Sequence, residues 1–437
     1  MRHFIRQSAQ VLPLTALLLV LLVGVVGMAL DSGRAYLVRA RLAAAVDAAG
    51  LAAARAVTRG EDADSRKASA VAAAGRAFRA NYPDGYLGSA PLLGAPQLSF
   101  DQGRVLVDAS ASAALPLGLT TVMGFTGMDV VASAQAVRRD LDLALVLDVS
   151  TSLALVAQQV RDAAVLFLER FSPDTDRVAL VRFAYGAVVD MPIRAGERGF
   201  DRPGMRRQLA ATQFSGYTNS AEGLWQGHAQ LNSVPAAQRS SLRVMVFFSD
   251  GVPTALASRF GVTAPAGCNV AGVLISDIDG SSVRGLWRMD RQEEPVPGCA
   301  TVSLSPQALP PYYNAHGEYT DLPVVGGAPR SVGPAPVWTN VNRAARNLAE
   351  AMAARARADG IHVYTIGLGP ELLQYAGAGA DAESGSDMLK CMANSADAPP
   401  RCRMPSQPAG VHCHARDAAG LKPCFAILGA EILRLTK

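Results

Sequence analysis

The side chains best suited to chemistry in this sequence are carboxylates and hydroxyls on three separate segments. Asp148, Ser150 and Ser152 form a DxSxS pattern. Thr218 lies in a Gly-Tyr-Thr-Asn-Ser stretch, and Asp250 follows an apolar run further along the chain. Oxygen ligands of this kind suit a hard divalent cation, above all Mg²⁺, with Mn²⁺ and Ca²⁺ as alternatives. The pattern therefore predicts a metal site built from three loops.

Apolar runs alternate with amphipathic stretches from residue 141 onward, and this alternation positions the loops. Residues 143–147 are a continuous apolar run that ends in Asp148, and residues 243–249 are a second run that ends before Asp250. Such runs are typical of parallel strands buried on both faces. The other predicted elements are a hairpin at 177–193, a strand at 361–368, and helices at 153–170, 341–358 and 418–435. We expect an α/β fold with a doubly wound, mostly parallel sheet, whose sites form at the carboxyl ends of the strands.

The five oxygen-bearing residues on these loops resemble the metal-ion-dependent adhesion site of von Willebrand factor A (VWA) domains. They do so both in their order along the chain and in the loops that carry them. The resemblance implies that Ser150, Ser152 and Thr218 contact the ion directly or nearly so. It also implies that Asp148 and Asp250 contact it directly or through water, and that a carboxylate of a bound partner completes the coordination. The alternative is that Asp148 and Ser152 only cap the following helix, as Asp and Ser commonly do.

The resemblance implies a VWA domain over residues 141–437, with two peculiarities. Thr151 stands between the two serines, where many VWA domains have Gly or another small residue, and we expect metal binding to tolerate it. A segment at about 253–337 holds 11 of the 26 prolines and leaves the sheet directly after Asp250. Long loops in compact domains are usually functional or disordered. Two interpretations stay open: a ligand-contacting cap over the metal site, or a solvated excursion without a role there.

Other candidate centres are weaker. His412 and His414 would share a face of a strand, but no third ligand with suitable spacing accompanies them, so a structural role is favoured. The run Asp277-Ile278-Asp279-Gly280 lacks the downstream Glu of a calcium loop and is interpreted as a turn. The sequence contains no G-x-S-x-G elbow and no P-loop. A metal-dependent hydrolase would need a base beside the metal, and none is evident.

The N-terminal segment predicts a membrane anchor. Residues 11–30 are uncharged and almost wholly apolar, and twenty such residues span roughly 30 Å as a helix. The rival interpretation is a signal peptide cleaved near Gly27-Met28-Ala29. The length of the apolar run and its helical continuation favour retention. Residues 1–10 are expected in the cytoplasm, although arginines on both sides leave the positive-inside count indecisive.

Composition excludes two classes of protein and indicates a compartment. Half of the 437 residues are hydrophobic, which argues against disorder. The net charge is +4 with scattered basic residues, so no nucleic-acid surface is predicted. Six dispersed cysteines after an export-type segment fit disulfides in an oxidising compartment. They allow 15 connectivities, of which nearest-neighbour pairing is the expectation: Cys268–Cys299, Cys391–Cys402 and Cys413–Cys424.

Residues 31–140 read as a helical stalk followed by a small antiparallel sheet, with helices at 31–58 and 64–80 and strands near 104–112 and 129–137. The span, the motif from Asp31 to Tyr36, and the Ala-rich stretch from Arg41 to Ala54 resemble TadG-type Tad/Flp pilus-assembly proteins. The end of the chain, from Ala426 to Thr436, is also similar to theirs. That family implies one membrane helix, a pilin-like region and a VWA domain.

The resulting hypothesis is a non-enzymatic, single-pass protein of the bacterial inner membrane with its bulk in the periplasm or cell envelope. Its VWA domain would bind a divalent cation and, through it, an acidic group on another component of pilus assembly or adhesion. Two alternatives stay open: a structural scaffold with a vestigial metal site, and a metal-dependent hydrolase. The partner's identity, the cation and the oligomeric state are not fixed by the sequence.

Overall fold

A computed structural model describes residues 11–57, 63–101, 104–261, 266–276, 283–299, 308–376 and 382–435. The chain forms two compact units, an N-terminal unit (Met1–Arg138) and a C-terminal unit (Arg139–Lys437). The expected cytoplasmic residues 1–10 and the predicted turn at 277–280 lie outside the described residues.

The N-terminal unit is built on one long helix. The predicted membrane span and the helical stretch after it join into α1 (Val11–Ala56), against which α2 (Ala63–Asn81) packs. In the part of the chain that the structure describes, α1 is the one helix long and apolar enough to cross a membrane. Its second half buries Val38, Leu42 and Val46 in a shared core.

A small antiparallel sheet completes this unit. Its strands are β1 (Ala90–Leu93), β2 (Gln97–Asp101), β3 (Arg104–Pro116) and β4 (Gly127–Arg139). The long strand β3 lies in the centre and pairs with all three others. Val105 and Val107 of β3 are buried in the same core as α1, because alternate residues of a strand face the helix. The sequence predicted β3 and β4 but underestimated their length, and it missed β1.

The C-terminal unit contains a six-stranded sheet in the order β17-β14-β8-β5-β6-β7. These strands are β5 (Leu141–Asp148), β6 (Arg177–Phe183), β7 (Ala187–Met191), β8 (Leu242–Ser249), β14 (His362–Leu368) and β17 (His412–Ala415). Only β7 is antiparallel to its neighbour. Every residue of β5 and β8 is buried, as expected for central strands covered on both faces.

Helices cover both faces of this sheet, which confirms the doubly wound α/β prediction. One face carries α3 (Ala157–Leu168), α4 (Arg202–Ala211) and α8 (Leu421–Leu435). The other carries α5 (Ser220–Ser233), α6 (Trp338–Ala358) and α7 (Gly385–Ala393). The predicted helix at 153–170 begins later than expected, because residues Thr151–Val156 form 3₁₀ turns before α3. As predicted, Gly360 ends α6, with a φ of 77° that a glycine adopts without strain.

The three disulfides follow the nearest-neighbour pairing. Cys268 joins Cys299, Cys391 joins Cys402, and Cys413 joins Cys424. The last of these ties β17 to the start of α8. All six cysteines are therefore oxidised, as an exported domain would require.

The proline-rich segment forms structure of its own. Its strands β9 (Ala255–Arg259), β10 (Ala271–Ser276) and β11 (Val283–Trp287) make an antiparallel sheet, and β12 (Tyr312–Tyr313) pairs with β13 (Tyr319–Pro323). Leu256, Val273 and Tyr313 are buried in the core that α5 and α6 share. The described part of this segment is therefore a packed subdomain rather than a solvated excursion.

Candidate metal site

The five predicted ligands come together at one edge of the sheet. Asp148 ends β5, Asp250 follows β8, and Thr218 stands two residues before α5. Ser150 directly precedes the 3₁₀ turns, and Ser152 lies in the first of them. The edge is formed by carboxyl ends of parallel strands, as the sequence predicted.

Hydrogen bonds link the carboxylates to the serines. The Asp148 Oδ1 atom accepts a bond from the backbone N–H of Ser150 at 2.9 Å, and its Oδ2 accepts one from the Ser249 hydroxyl at 2.6 Å. Ser152 donates its hydroxyl to Asp250 Oδ1 at 2.9 Å, and the Ser150 and Ser152 hydroxyls are 3.1 Å apart. The DxSxS loop thus holds its oxygens in one place before any ligand arrives.

Thr151 connects the DxSxS loop to the loop that carries Thr218. Its backbone N–H donates to the carbonyl of Gly216 at 3.0 Å, and its Oγ1 accepts from the N–H of Gly216 at 2.9 Å. Gly216 has a φ of 101°, and a Cβ there would lie 2.7 Å from the Tyr185 ring. The residue that departs from the common VWA pattern is therefore a clasp between two ligand-bearing loops.

A second pair of residues connects the Thr218 loop to the segment after Asp250. The Thr254 hydroxyl accepts from the N–H of Thr218 at 3.1 Å, and the Thr254 N–H donates to the Thr218 carbonyl at 2.9 Å. All three loops are thereby fixed to one another through backbone bonds. Thr254 belongs to the proline-rich segment, which contributes no other described residue to the lining of the site. The described residues of this segment thus do not form the cap that the sequence left open.

The site opens into a cleft of about 830 Å³. Four of the five predicted ligands line it, all except the wholly buried Asp148, and so do Glu371, Gln374 and Tyr375. Sequence analysis missed Glu371, although a signal was available: Gly369-Pro370-Glu371 directly follows an apolar strand, as Asp148 and Asp250 follow theirs. The described residues that line this cleft include no Lys, Arg or His.

The electrostatics of the site are those of carboxylates without a countercharge. Burial raises the pKa of Asp148, and the neighbouring charge of Asp250 raises it further. Burial also raises the pKa of Asp250, and Glu371 adds to that shift. Both raised pKa values report chiefly that a charged carboxylate is unfavourable at a buried position and, to a smaller extent, beside another carboxylate; a bound cation would offset that cost.

Comparison with known families now identifies the two parts of the chain. Residues 142–279 match the model of the von Willebrand factor type A domain, and residues 9–56 match the Flp pilus-assembly TadE/G-like model. The chain has the plan of a TadG-type protein. The TadE/G-like match covers the whole of α1, and the VWA match contains all five predicted ligands. No curated protein matches the chain significantly.

Solved structures with a similar arrangement include proteins of pili. The pilus adhesin SpaC from Lactobacillus rhamnosus GG has a TM-score of 0.38 and 14% identity over 79% of this chain, which spans 34% of SpaC. The PilB minor pilin from Streptococcus sanguinis has a TM-score of 0.39 and 13% identity, covering 80% of each chain. The vWF domain of the tip protein Mfa5 from Porphyromonas gingivalis has a TM-score of 0.37 and 13% identity, over 69% of this chain and 98% of that one. The chain thus spans about a third of the length of SpaC.

VWA domains commonly bind a divalent metal, and the residues of the site described above fit one. Three hydroxyls and two carboxylates are an all-oxygen donor set of the kind that Mg²⁺ prefers. Asp148 is wholly buried, so a cation near it would act in a medium of low polarity. The same edge of the sheet opens to solvent through the cleft, which leaves room for an outside ligand.

A second acidic cluster in the VWA unit is not a comparable site. Glu350, Glu383 and Cys391 are the one group of three His, Cys, Asp or Glu donors that lie within 4.8 Å of one another among the described residues. The sulfur is bonded to another cysteine, and Arg330 and Arg401 both pair with the two glutamates. The charges there are already balanced.

The two histidines of β17 also have a structural explanation. His412 Nδ1 lies 2.9 Å from the Thr365 hydroxyl, and Nε2 lies 3.2 Å from the Ser386 hydroxyl. Burial lowers the pKa of His412 to about 4, so the ring is neutral near pH 7. The rings of His412 and His414 are 6.4 Å apart. The structural role favoured by the sequence accounts for His412.

Proposed function

We propose that the VWA domain of this protein binds a divalent cation, Mg²⁺ in the first place, at Asp148, Ser150, Ser152, Thr218 and Asp250. A carboxylate of a protein partner would complete the coordination from the cleft. The observation that carries the proposal is the meeting of two buried or half-buried carboxylates with three hydroxyls at a cleft lined by no basic described residue. A metal ion supplies the positive charge that this arrangement lacks.

The VWA and TadE/G-like matches support a role in pilus assembly or adhesion. We propose a single-pass location in the bacterial inner membrane, with the VWA domain in the periplasm or cell envelope and other pilus-assembly components as partners. Three disulfides in the VWA unit support an oxidising compartment. The proposed action is binding rather than catalysis, since a metal-bridged carboxylate contact requires no proton transfer.

The first test is calorimetric titration of Mg²⁺ and of Mn²⁺ into the full-length protein in lipid nanodiscs. We expect the wild type to bind and Asp148→Ala to lose binding, because the variant removes one of the two carboxylates. Asp162→Ala is the matched control: it removes a half-exposed carboxylate of α3 and should leave binding unchanged. A folded wild type that binds neither cation would contradict the proposal and favour the scaffold alternative.

The second test addresses the partner's carboxylate. Short peptides that contain a single Glu can be compared with the same peptides carrying Gln, on immobilised protein with Mg²⁺ or with a chelator. We expect retention only of Glu peptides and only with metal, because a neutral amide is a far weaker ligand for a hard cation. Equal retention of both peptide forms would contradict a carboxylate-bridging site. Metal-dependent turnover of a peptide would instead favour the hydrolase.

A further inference from the structure

The connection between β3 and β4 packs against α1 inside the predicted membrane span. A Cβ added at Gly24 would lie 2.8 Å from the Met123 sulfur, and one added at Gly27 would lie 2.7 Å from the Leu119 Cβ. Both glycines belong to the predicted span of residues 11–30. Glycines allow such close approach because they have no side chain, as in contacts within membranes. Residues 117–128 are called the β3–β4 loop below.

The buried face of α1 shows how far this contact reaches. Gly24, Gly27 and Asp31 are buried, whereas Val25, Val26 and Met28 between them are exposed. Spacings of three and four residues place the buried positions on one face of the helix. Gly24 precedes the end of the span at Leu30 by six residues, which corresponds to about 9 Å along the axis. The packed face of the N-terminal unit therefore begins within the segment that would lie in hydrocarbon.

Several polar groups of the loop are paired within the protein, as a low-polarity environment requires. The Asp31 carboxylate accepts bonds from the N–H of Gly118 at 3.1 Å, the N–H of Thr120 at 3.1 Å and the Thr120 hydroxyl at 2.6 Å. The N–H of Gly124 bonds the Thr121 carbonyl at 3.0 Å. The N–H of Phe125 bonds the carbonyl of Thr120 at 3.3 Å. Non-helical backbone is tolerated at membrane depth only when its polar groups are paired in this way.

The outer surface of the loop carries four large apolar side chains, beside the exposed Thr121 and Thr126. Leu119, Met123, Phe125 and Met128 are 42%, 50%, 59% and 42% exposed. Residues 117–128 contain no charged side chain. A group of half-exposed large apolar side chains next to a membrane helix is costly in water and favourable among acyl chains.

We propose that the β3–β4 loop is a second membrane-inserted element, which enters the leaflet nearest Asp31 alongside α1. In this proposal the loop contacts the acyl chains of the bilayer, and Met123 and Phe125 are the side chains that insert among them. The proposal depends on α1 remaining in the chain as a span, and it is independent of the metal site. The proposal also explains why glycines stand at positions 24 and 27, because larger residues there would push the loop away from the helix.

The test uses tryptophan fluorescence of the full chain in vesicles with or without lipids brominated along the acyl chains. Phe125→Trp is compared with Leu92→Trp, a highly exposed apolar position on β1, and wild-type emission from the three native tryptophans is subtracted. We expect the added emission of Phe125→Trp to be quenched at least twofold by brominated lipid and to resist aqueous iodide. Leu92→Trp should show the opposite behaviour.

Two other outcomes would overturn the proposal. Quenching of Phe125→Trp by iodide as strong as that of Leu92→Trp would place the loop in water. Resistance to both quenchers would mean that protein, and not lipid, covers the loop.

A second pair of variants tests the helix contact. Gly27→Leu in the Phe125→Trp background should reduce lipid quenching, because a side chain there collides with Leu119. Gly33→Leu should leave quenching unchanged, since a Cβ at Gly33 meets no atom within 4 Å. Unchanged lipid quenching in Gly27→Leu would contradict the claim that this contact sets the depth of the loop.

Discussion

Two carboxylates of the same strand are treated in opposite ways by this fold. Asp142 and Asp148 lie near opposite ends of β5, and both are wholly buried. Asp142 bonds Arg177 at 3.0 Å and accepts from the N–H and hydroxyl of Ser240 at 2.8 and 2.9 Å. Asp148 accepts hydrogen bonds only from neutral groups, the Ser150 N–H and the Ser249 hydroxyl, among the bonds found in the described structure.

The comparison distinguishes a carboxylate that stabilises the fold, Asp142, from one assigned to the proposed metal site, Asp148. At the amino end of β5 the chain supplies its own countercharge, so Asp142 contributes to holding β5, β6 and the segment before β8 together. At the carboxyl end no described residue supplies a countercharge through an ion pair with Asp148, and under the proposed function a bound cation would supply it. A buried carboxylate without a cation costs free energy in the metal-free protein, and the chain retains that cost where a ligand can relieve it.

The largest effect is expected at the amino end of β5, where Asp142 pairs with Arg177. Asp142→Ala leaves the Arg177 guanidinium buried without its partner, so we expect a loss of about 3–5 kcal/mol in the free energy of unfolding. Denaturant unfolding of the full chain in detergent measures this. The control is Asp321→Ala, which removes an exposed partner of Arg355 and should cost less than about 1 kcal/mol. If Asp142→Ala lost no more free energy of unfolding than the control, the claim that the Asp142–Arg177 pair stabilises the fold would be contradicted.

The next largest effect on stability is expected at the carboxyl end of β5, where Asp148 lies, and it depends on pH. Because the pKa of Asp148 is raised in the folded state, the native protein binds more protons than the unfolded chain above about pH 4. The contribution of Asp148 to the stability of the metal-free wild type therefore decreases as pH rises from about 4 to about 7. Asp148→Asn lacks this charge, so at pH 7 we expect it to be more stable than wild type by roughly 1–2 kcal/mol.

Unfolding of both proteins in chelator, from about pH 3 to pH 7, checks this expectation. The two stabilities should converge toward about pH 3, where the wild-type carboxyl is largely protonated in both states. Saturating Mg²⁺ should reverse the order at pH 7, since only the wild type keeps both carboxylates. A wild type more stable than Asp148→Asn at pH 7 in chelator would contradict the account of an unpaired charge.

The smallest effect concerns the clasp. Thr151→Val keeps the branched shape but removes the oxygen that accepts the N–H of Gly216. One neutral hydrogen bond is worth about 1 kcal/mol, so we expect the free energy of unfolding to fall by about that amount and Mg²⁺ affinity to fall roughly 3- to 10-fold. Thr151→Ser should restore binding. Wild-type affinity in Thr151→Val would show that the bond does not hold the loops in place.

The sequence predicted the part of this comparison that follows from periodicity. Buried apolar runs ending in Asp148 and before Asp250 placed both residues at carboxyl ends of parallel strands, and the structure agrees. The nearest-neighbour disulfides and the long α1 helix were also predicted. These features depend on short-range patterns, which a single sequence displays directly.

What the sequence could not predict depends on which strands become neighbours. Asp142 and Arg177 are register partners across β5 and β6, although they are 35 residues apart in the chain. The Thr151–Gly216 clasp and the position of Glu371 likewise arise from loops that meet only in the folded sheet. The proline-rich segment was read as a loop because its strands are short and interrupted.

Strand β5 also has a mechanical consequence. It begins two residues after β4 ends, so under the proposed function it would receive tension from the N-terminal unit, and its other end carries Asp148. A partner held at the site would pull on that end. Such a load runs along β5 in shear against two parallel neighbours, with seven register pairs on each side. Rupture would have to break these bonds together rather than one after another, which suits a protein that holds on under force.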